Sequence, residues 1–202
     1  MRRAVALLLV PLLMLAACGD DDEGAVERAD GGDTTEVTEA DEPVDDGIDE
    51  SALEVVVGPS GIEVSSEGAP RSFAFGEPGD AAVQAISDAL GEPSDAGEVP
   101  ECPAGPADAV TWDDQLQVVL QDGNLVGWTL PEGSTLQHED GIGIGSTLED
   151  VGDRYPDVTV DDASTLGVEL YAESAGLSGL LSEHAPTGVV TVLWSGIVCT
   201  FR

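Results

Sequence analysis

The chain contains no lysine, only two histidines, three cysteines and two methionines in 202 residues. Its six basic residues are all arginine, against 41 Asp and Glu, for a net charge of −35. A surface of that sign repels nucleic acid and anionic lipid headgroups, which excludes polyanions as partners. It suits cations or a basic partner, or simply a solvated surface in salty surroundings, where screening removes the self-repulsion. The scarcity of His and Cys argues against zinc, which wants three or four convergent ligands at short spacings. His138, in His138-Glu139-Asp140, and His184, near Pro186, read as surface loop residues. No metal and no cofactor is expected. Ser60 and Ser178 lack the Gly-x-Ser-x-Gly elbow, and Asp113-Asp114 and Asp161-Asp162 are adjacent, so on strands they point apart. No catalytic residue is expected. The chain is read as non-enzymatic.

Long apolar runs are also missing. The longest is Ala4 to Leu15, shorter than the roughly 20 residues a helix needs to span the hydrocarbon core. It follows Met1-Arg2-Arg3, the layout of a secretory leader. It ends in Leu15-Ala16-Ala17-Cys18, which resembles the lipobox of bacterial lipoproteins. The resemblance implies cleavage after residue 17 and acylation of Cys18 with diacylglycerol, with palmitate-type chains available for N-acylation. Two or more chains hold a protein on a bilayer durably where one does not. The implied location is the extracytoplasmic face of the cell membrane, with the bilayer as first partner. With Cys18 lipidated, Cys102 and Cys199 remain as an even pair in an oxidising compartment. They are expected to form one disulfide, the alternative being two free buried thiols. Closing so long a loop is worth about 4–5 kcal/mol in the chain-entropy picture.

Residues 18–52 carry Asp20-Asp21-Asp22-Glu23, Asp41-Glu42-Pro43 and Asp45-Asp46-Gly47, without apolar periodicity or an aromatic residue. Such a block cannot offset its ordering entropy and reads as an extended acidic tether. No calcium-loop spacing occurs in it.

Residues 53–202 carry the fold signals. Short strands are expected at Leu53–Val57, Ile62–Val64 and Ser72–Phe75, then a helix over Ala81–Leu90 stopped by Gly91 and Pro93. The Pro- and Gly-rich stretch 100–106 is a loop, and Ala109–Trp112 a strand. Leu116–Leu120 and Leu125–Leu130 flank Asp122-Gly123-Asn124. A three-residue loop sets Leu120, Val118 and Leu116 opposite Val126, Trp128 and Leu130, giving one apolar face, so that loop length is expected. Ser146-Thr147-Leu148-Glu149 has capping-box form and starts a short helix that Pro156 ends. Strands follow at Val168–Ala172, with Val168 and Leu170 inward, at Leu177–Leu181 and at Val189–Trp194. The last is apolar on both faces and reads as central. Gly141-Ile142-Gly143-Ile144-Gly145 lacks the basic residue of a phosphate cradle. Trp112, Trp128 and Trp194 are expected in the core or at sheet edges.

The expectation is an α+β fold. Two tandem units, 53–131 and 139–202, each place a short helix before a three-stranded antiparallel sheet within one compact domain. This plan, behind a lipobox, resembles a group of actinobacterial lipoproteins. The matching stretches are Phe75-Gly76, Leu90-Gly91-Glu92-Pro93, Gly141 to Thr147 and Gly176-Leu177-Ser178-Gly179. More distantly, the repeat is similar to β-lactamase-inhibitor-protein and outer-membrane-assembly lipoprotein architecture. That likeness implies protein binding through a sheet face. The functional expectation is therefore a lipid-anchored envelope protein that binds or scaffolds another envelope protein. An inhibitor of an extracellular enzyme and an envelope hydrolase are the alternatives.

Overall fold

Alternation of apolar residues builds the first sheet. In β1 (Glu54–Gly58) Val55 and Val57 point one way and are buried. They face Val64 and Ile62 of β2 (Gly61–Ser66), and Ile62 in turn faces Phe73 of β3 (Ala69–Ala74). The computed structural model describes residues 53–66 and 69–199. The leader at 1–17, Cys18 and the acidic stretch 18–52 lie outside the described residues. All described residues belong to one compact unit, residues 47–202.

After β3, α1 (Asp80–Leu90) buries Ala82, Ala85 and Ile86, one stripe at helical spacing. It stops at Gly91, whose φ of 92° suits glycine and whose N–H bonds Ser87 O. Four strands follow: β4 (Asp95–Val99), β5 (Ala107–Trp112), β6 (Leu116–Gln121) and β7 (Asn124–Leu130). The two-residue β8 (Gln137–His138) returns to the first sheet, parallel to β1. Then α2 (Leu148–Arg154) precedes β9 (Thr159–Ser164), β10 (Gly167–Ala172), a 3-10 turn at Glu173–Ala175, β11 (Leu177–Leu181) and β12 (Val190–Gly196).

This architecture overturns the expected plan of two helix-plus-three-strand units. The described chain is mostly β, with twelve strands, two α-helices and two separate sheets. A four-stranded sheet runs β3-β2-β1-β8, and an eight-stranded sheet runs β4-β5-β6-β7-β12-β11-β10-β9. Each helix leads into four strands. The two runs fuse into one sheet where β7 pairs with β12. The strands the sequence did not signal are the two-residue β8 and, in the larger sheet, β4 and β9, its two edges. Four of the five β4 residues are exposed, and β9 carries Asp161 and Asp162, so neither buries an alternating face. Charged side chains on an edge strand discourage pairing with other chains.

The β6–β7 hairpin differs from expectation in an instructive way. Gln121 pairs with Asn124 across a two-residue turn in which Asp122 and Gly123 have φ of 52° and 78°. Asp-Gly is the sequence such a turn favours. A bulge at Val126 then shifts the register, so Leu120 faces Leu125 while Val118 faces Trp128 as expected. The turn keeps its preferred length and the apolar face stays continuous.

The cap of α2 is also displaced by one residue. Thr147, not Ser146, is the N-cap: its Oγ1 accepts from Asp150 N–H (3.1 Å), and Asp150 Oδ2 accepts from Thr147 N–H (2.8 Å). The Thr147 hydroxyl, donating to Asp150 Oδ2 (2.6 Å), and then its backbone N–H hold the Asp150 carboxyl below the usual range. Ser146 Oγ accepts from Gly143 N–H instead (3.1 Å).

One large core fills the space between the first sheet, both helices and the inner face of the eight-stranded sheet. A small second cluster, Cys102, Ala107 and Val119, lies on the outer face of the larger sheet. There the chain after β12 crosses Gly127. Ile197 N–H bonds Val126 O (2.8 Å), and a Cβ at residue 127 would run into the Ile197 carbonyl. The crossing brings Cys199 to disulfide distance of Cys102, with Cα atoms 4.7 Å apart.

Candidate functional site

Two features stand out: a buried histidine where the sheets meet α2, and the outer face of the larger sheet.

His138 sits in β8 opposite Val57. Its N–H bonds Ile142 O (2.8 Å), and Gly141, with φ of 82°, closes a tight loop back onto it. Glu139 N–H bonds Val57 O (2.8 Å), so the loop is fastened to β1. The expectation of a surface histidine is wrong: His138 is 2% exposed. Its Nδ1 is 3.2 Å from Tyr155 Oη, at the C-terminal end of α2, and 3.3 Å from Asp140 N. Tyr155 O–H donates to Asp140 Oδ2 (2.7 Å), and the Arg154 guanidinium pairs with Asp140 Oδ1. Among the described residues, His138 Nε2 has no hydrogen-bond partner.

Those contacts assign the tautomer. Tyr155 has a single proton and donates it to Asp140, so its oxygen accepts from Nδ1–H of His138. The other tautomer would bury an N–H without an acceptor, at about 1–3 kcal/mol, in exchange for the longer contact from Asp140 N–H. Burial pushes the His138 pKa below its ordinary value; Glu139 opposes this and Arg154 assists it. Burial likewise raises Tyr155. The imidazole is neutral near pH 7. Chemically, the chain Arg154–Asp140–Tyr155–His138 leads from a half-exposed cation to a buried base and ties α2 to β8. Among the described residues, the hydrogen-bond partners of His138 include no serine or cysteine. A cleft of about 530 Å³ passes this loop between the start of β1, Leu90 and Thr135–Glu139. The His138 side chain is only 1% exposed, so it does not open into that space.

The other candidates are dispersed. His184 is exposed, 3.3 Å from Asp162. Ser60 lies in the exposed β1–β2 turn, and Ser178 on β11 faces Trp194 across the strand pair. Gly141–Gly145 precedes the cap of α2 by loop residues and supplies two left-handed turns, at Gly141 and Gly145. Among the described residues no three His, Cys, Asp or Glu converge as a metal site would require.

The outer face of the eight-stranded sheet was not singled out by sequence, because it is assembled from eight distant strands. Register places Asp95, Thr111, Gln117, Thr129, Trp194, Ser178, Tyr171 and Thr159 in one row, one residue from each strand. At about 4.8 Å per strand the row spans roughly 34 Å. Beside it, Val192 and Leu180 pair, followed by Glu169 and Asp161. Trp112 and Trp128 belong to the inner face and core, donating to Gly91 O (3.0 Å) and Gly58 O (2.8 Å). Trp194 is also buried, but it and its neighbours Tyr171, Leu180 and Val192 belong to neither apolar cluster.

Compared with known proteins, the chain matches no protein-family model, no curated protein and no solved structure. No helix among the described residues is long and apolar enough to cross a membrane.

Proposed function

We propose that this is an extracytoplasmic lipoprotein, held on the membrane by acylated Cys18, that binds another envelope protein through the outer face of its larger sheet. The observation that carries the binding role is the aromatic and aliphatic group Trp194, Tyr171, Leu180 and Val192, gathered on a face that the main core does not use. Interfaces are enriched in aromatic residues at their centres and carry polar rims. The Leu15-Ala16-Ala17-Cys18 sequence supports the anchor, and the Cys102–Cys199 pair suits an oxidising compartment. The role is binding and not catalysis: the buried base His138 is taken up in fastening α2 to β8.

The anchor and the binding role are tested together. Full-length protein and its Cys18→Ser variant are expressed in the native host, and membranes are separated from secreted material. The wild type is expected in the membrane fraction and the variant in the secreted fraction. Chemical crosslinking of the membrane-bound form is expected to give one defined heteromeric species. A Cys18→Ser protein that stays on the membrane overturns the anchor. A wild type that crosslinks to no protein overturns the binding role.

A further inference from the structure

Residues Gln137 to Gly143 form a small hairpin closed by its own bonds. Gln137 bridges Gly143, His138 N–H bonds Ile142 O (2.8 Å), and Gly141 N–H bonds His138 O (2.7 Å). Both ends are fastened to the body of the fold. Before it, Ser134 Oγ donates to Gln115 O (2.7 Å) and Thr135 N–H to Gln115 Oε1 (3.1 Å). After it, Gly145 N–H bonds Val190 O (2.8 Å). Between those points the hairpin pairs with β1 at Val56 and Val57 and adds the bond from Glu139 N–H to Val57 O. The other edge of β1 is paired with β2 along its whole length and does not depend on the hairpin.

The hairpin buries His138 and Ile142 and exposes Gln137, Glu139 and Gly141. The imidazole meets Val57 of β1, Trp128 of β7 (ring centroids 6.3 Å apart) and Tyr155 at the end of α2. The ionisable groups around it are Tyr155 and Arg154 from α2, and Glu139 and Asp140 from the hairpin itself. β1 and β7 face it with Val57 and Trp128, which carry no charge. Asp140 Oδ2 lies 3.7 Å from Nδ1, but that carboxylate already holds the Tyr155 hydroxyl and the Arg154 guanidinium. A proton added at Nε2 meets no acceptor among the described residues. It places a charge and an unpaired donor in the interior, and both are relieved when the ring reaches water.

We propose that this hairpin is a proton-released flap: protonation of His138 frees Gln137–Gly143 from β1 and from Tyr155, while β1–β3, the larger sheet and α2 stay formed. Local opening gives up a short backbone pairing and the burial of His138 and Ile142, where global unfolding gives up the core. It uncovers the edge of β1 at Val56 and Val57 and widens the cleft that the flap lines with Gln137, Glu139 and Gly141. In the open flap the imidazole titrates near 6.5. Opening therefore grows as pH falls below that value, by at most about tenfold per pH unit. Burial, which lowers the value in the closed form, acts in the same direction. The flap goes beyond the binding role above and does not depend on it.

The test is amide hydrogen exchange on the full chain at pH 7.5 and 5.5, each rate corrected for the chemical exchange rate at that pH. The reporter is the Glu139 amide, whose bond spans flap and β1; the Val118 and Trp128 amides, inside the larger sheet, report global unfolding. The Glu139 opening constant is expected to exceed theirs by about a hundredfold or more at pH 7.5. It is expected to rise by about five- to tenfold at pH 5.5. Urea at about 0.5 M should leave it within about twofold, since a local event exposes little surface. In His138→Gln the Glu139 value should stay within about twofold between the two pH values. Tyr155→Phe keeps the imidazole and removes its hydroxyl partner, so it should raise Glu139 opening at both pH values and retain the rise. A Glu139 opening constant equal to those of Val118 and Trp128 makes the event global and overturns the flap. A wild type without the rise overturns the proton control, as does a full rise in His138→Gln. Loss of the rise in Tyr155→Phe overturns it too, so the proposal stands or falls even if the Gln variant does not fold.

Discussion

The indole N–H of Trp128 donates to the carbonyl oxygen of Gly58 across 2.8 Å and 70 residues of sequence. That bond joins the middle of the larger sheet to the end of β1, and both partners are buried around it. Trp128→Phe keeps most of the apolar volume and leaves the Gly58 carbonyl without its donor. The expected loss is about 1–3 kcal/mol, read as a lower urea midpoint with an unchanged slope. Trp128→Ala adds a cavity and is expected to lose about 3–5 kcal/mol. Equal midpoints for the Trp128→Phe variant and the wild-type protein would remove the bond from the account of stability.

His138 makes stability depend on pH in a defined direction. The free imidazole titrates near 6.5, and burial holds the folded value lower. Between those two values the unfolded chain binds the extra proton. The His138 contribution is therefore complete above pH 6.5 and is lost as pH falls towards the folded pKa, by at most about 1.4 kcal/mol per pH unit. Tyr155, Asp140, Glu139 and Arg154 are the charged and titratable groups around it. Urea unfolding at pH 7.5 and 5.5 checks this: His138→Gln should flatten the difference seen in the wild type. An equally steep loss in the variant would assign it to other groups.

Gly127 is the point where the chain after β12 passes over the sheet. Gly127→Ala drives a methyl group at the Ile197 carbonyl, and the backbone there cannot give way as a side-chain tip would. The expected loss is about 1–3 kcal/mol, with faster alkylation of Cys199 under mild reductant as the crossing loosens. Unchanged alkylation kinetics would show that the crossing is held elsewhere.

The pairing of Cys102 with Cys199 spans 97 residues. Protein prepared without reductant should show neither of these two thiols by alkylation and mass measurement. Cys102→Ser combined with Cys199→Ser should lower stability by about 2–5 kcal/mol. It should also expose Val119 to a hydrophobic dye. Two alkylated thiols in the untreated protein would contradict the bond.

What the sequence made legible was burial with a period. Leu116, Val118 and Leu120 read as one face of a strand and are buried together, and Val168 and Leu170 point inward as alternation requires. The Pro156 stop was visible because proline cannot continue a helix, and the central place of β12 because that strand is apolar on both faces. What stayed hidden had no such period. Asp95–Val99 and Thr159–Ser164 are edge strands, acidic and mostly exposed, and their pairing is held by backbone bonds that any side chain permits. His138 looked like a loop residue because Glu139 and Asp140 follow it; its surroundings come from distant parts of the chain, Val57 beside it in the sheet, Trp128, and Tyr155 17 positions on. The Asp-Gly turn and the single apolar face of β6–β7 set conflicting demands on loop length, and only a bulge reconciles them. The stretch Ser146 to Asp150 holds two overlapping capping boxes, and it is the second that forms.

The junction of β7 with β12 gives the molecule a direction of assembly. Both four-strand runs begin at an outer edge and end at the middle, so the pairing that unites them waits for β12, the last described strand. A chain made only as far as β11 holds two partial sheets, with β7 and β11 each lacking the neighbour that β12 supplies. Open apolar edges of that kind invite other chains. The C-terminal strand is thus a closing element: a product truncated before Val190 is expected to be an aggregating or proteolysed species, not a smaller version of the same protein.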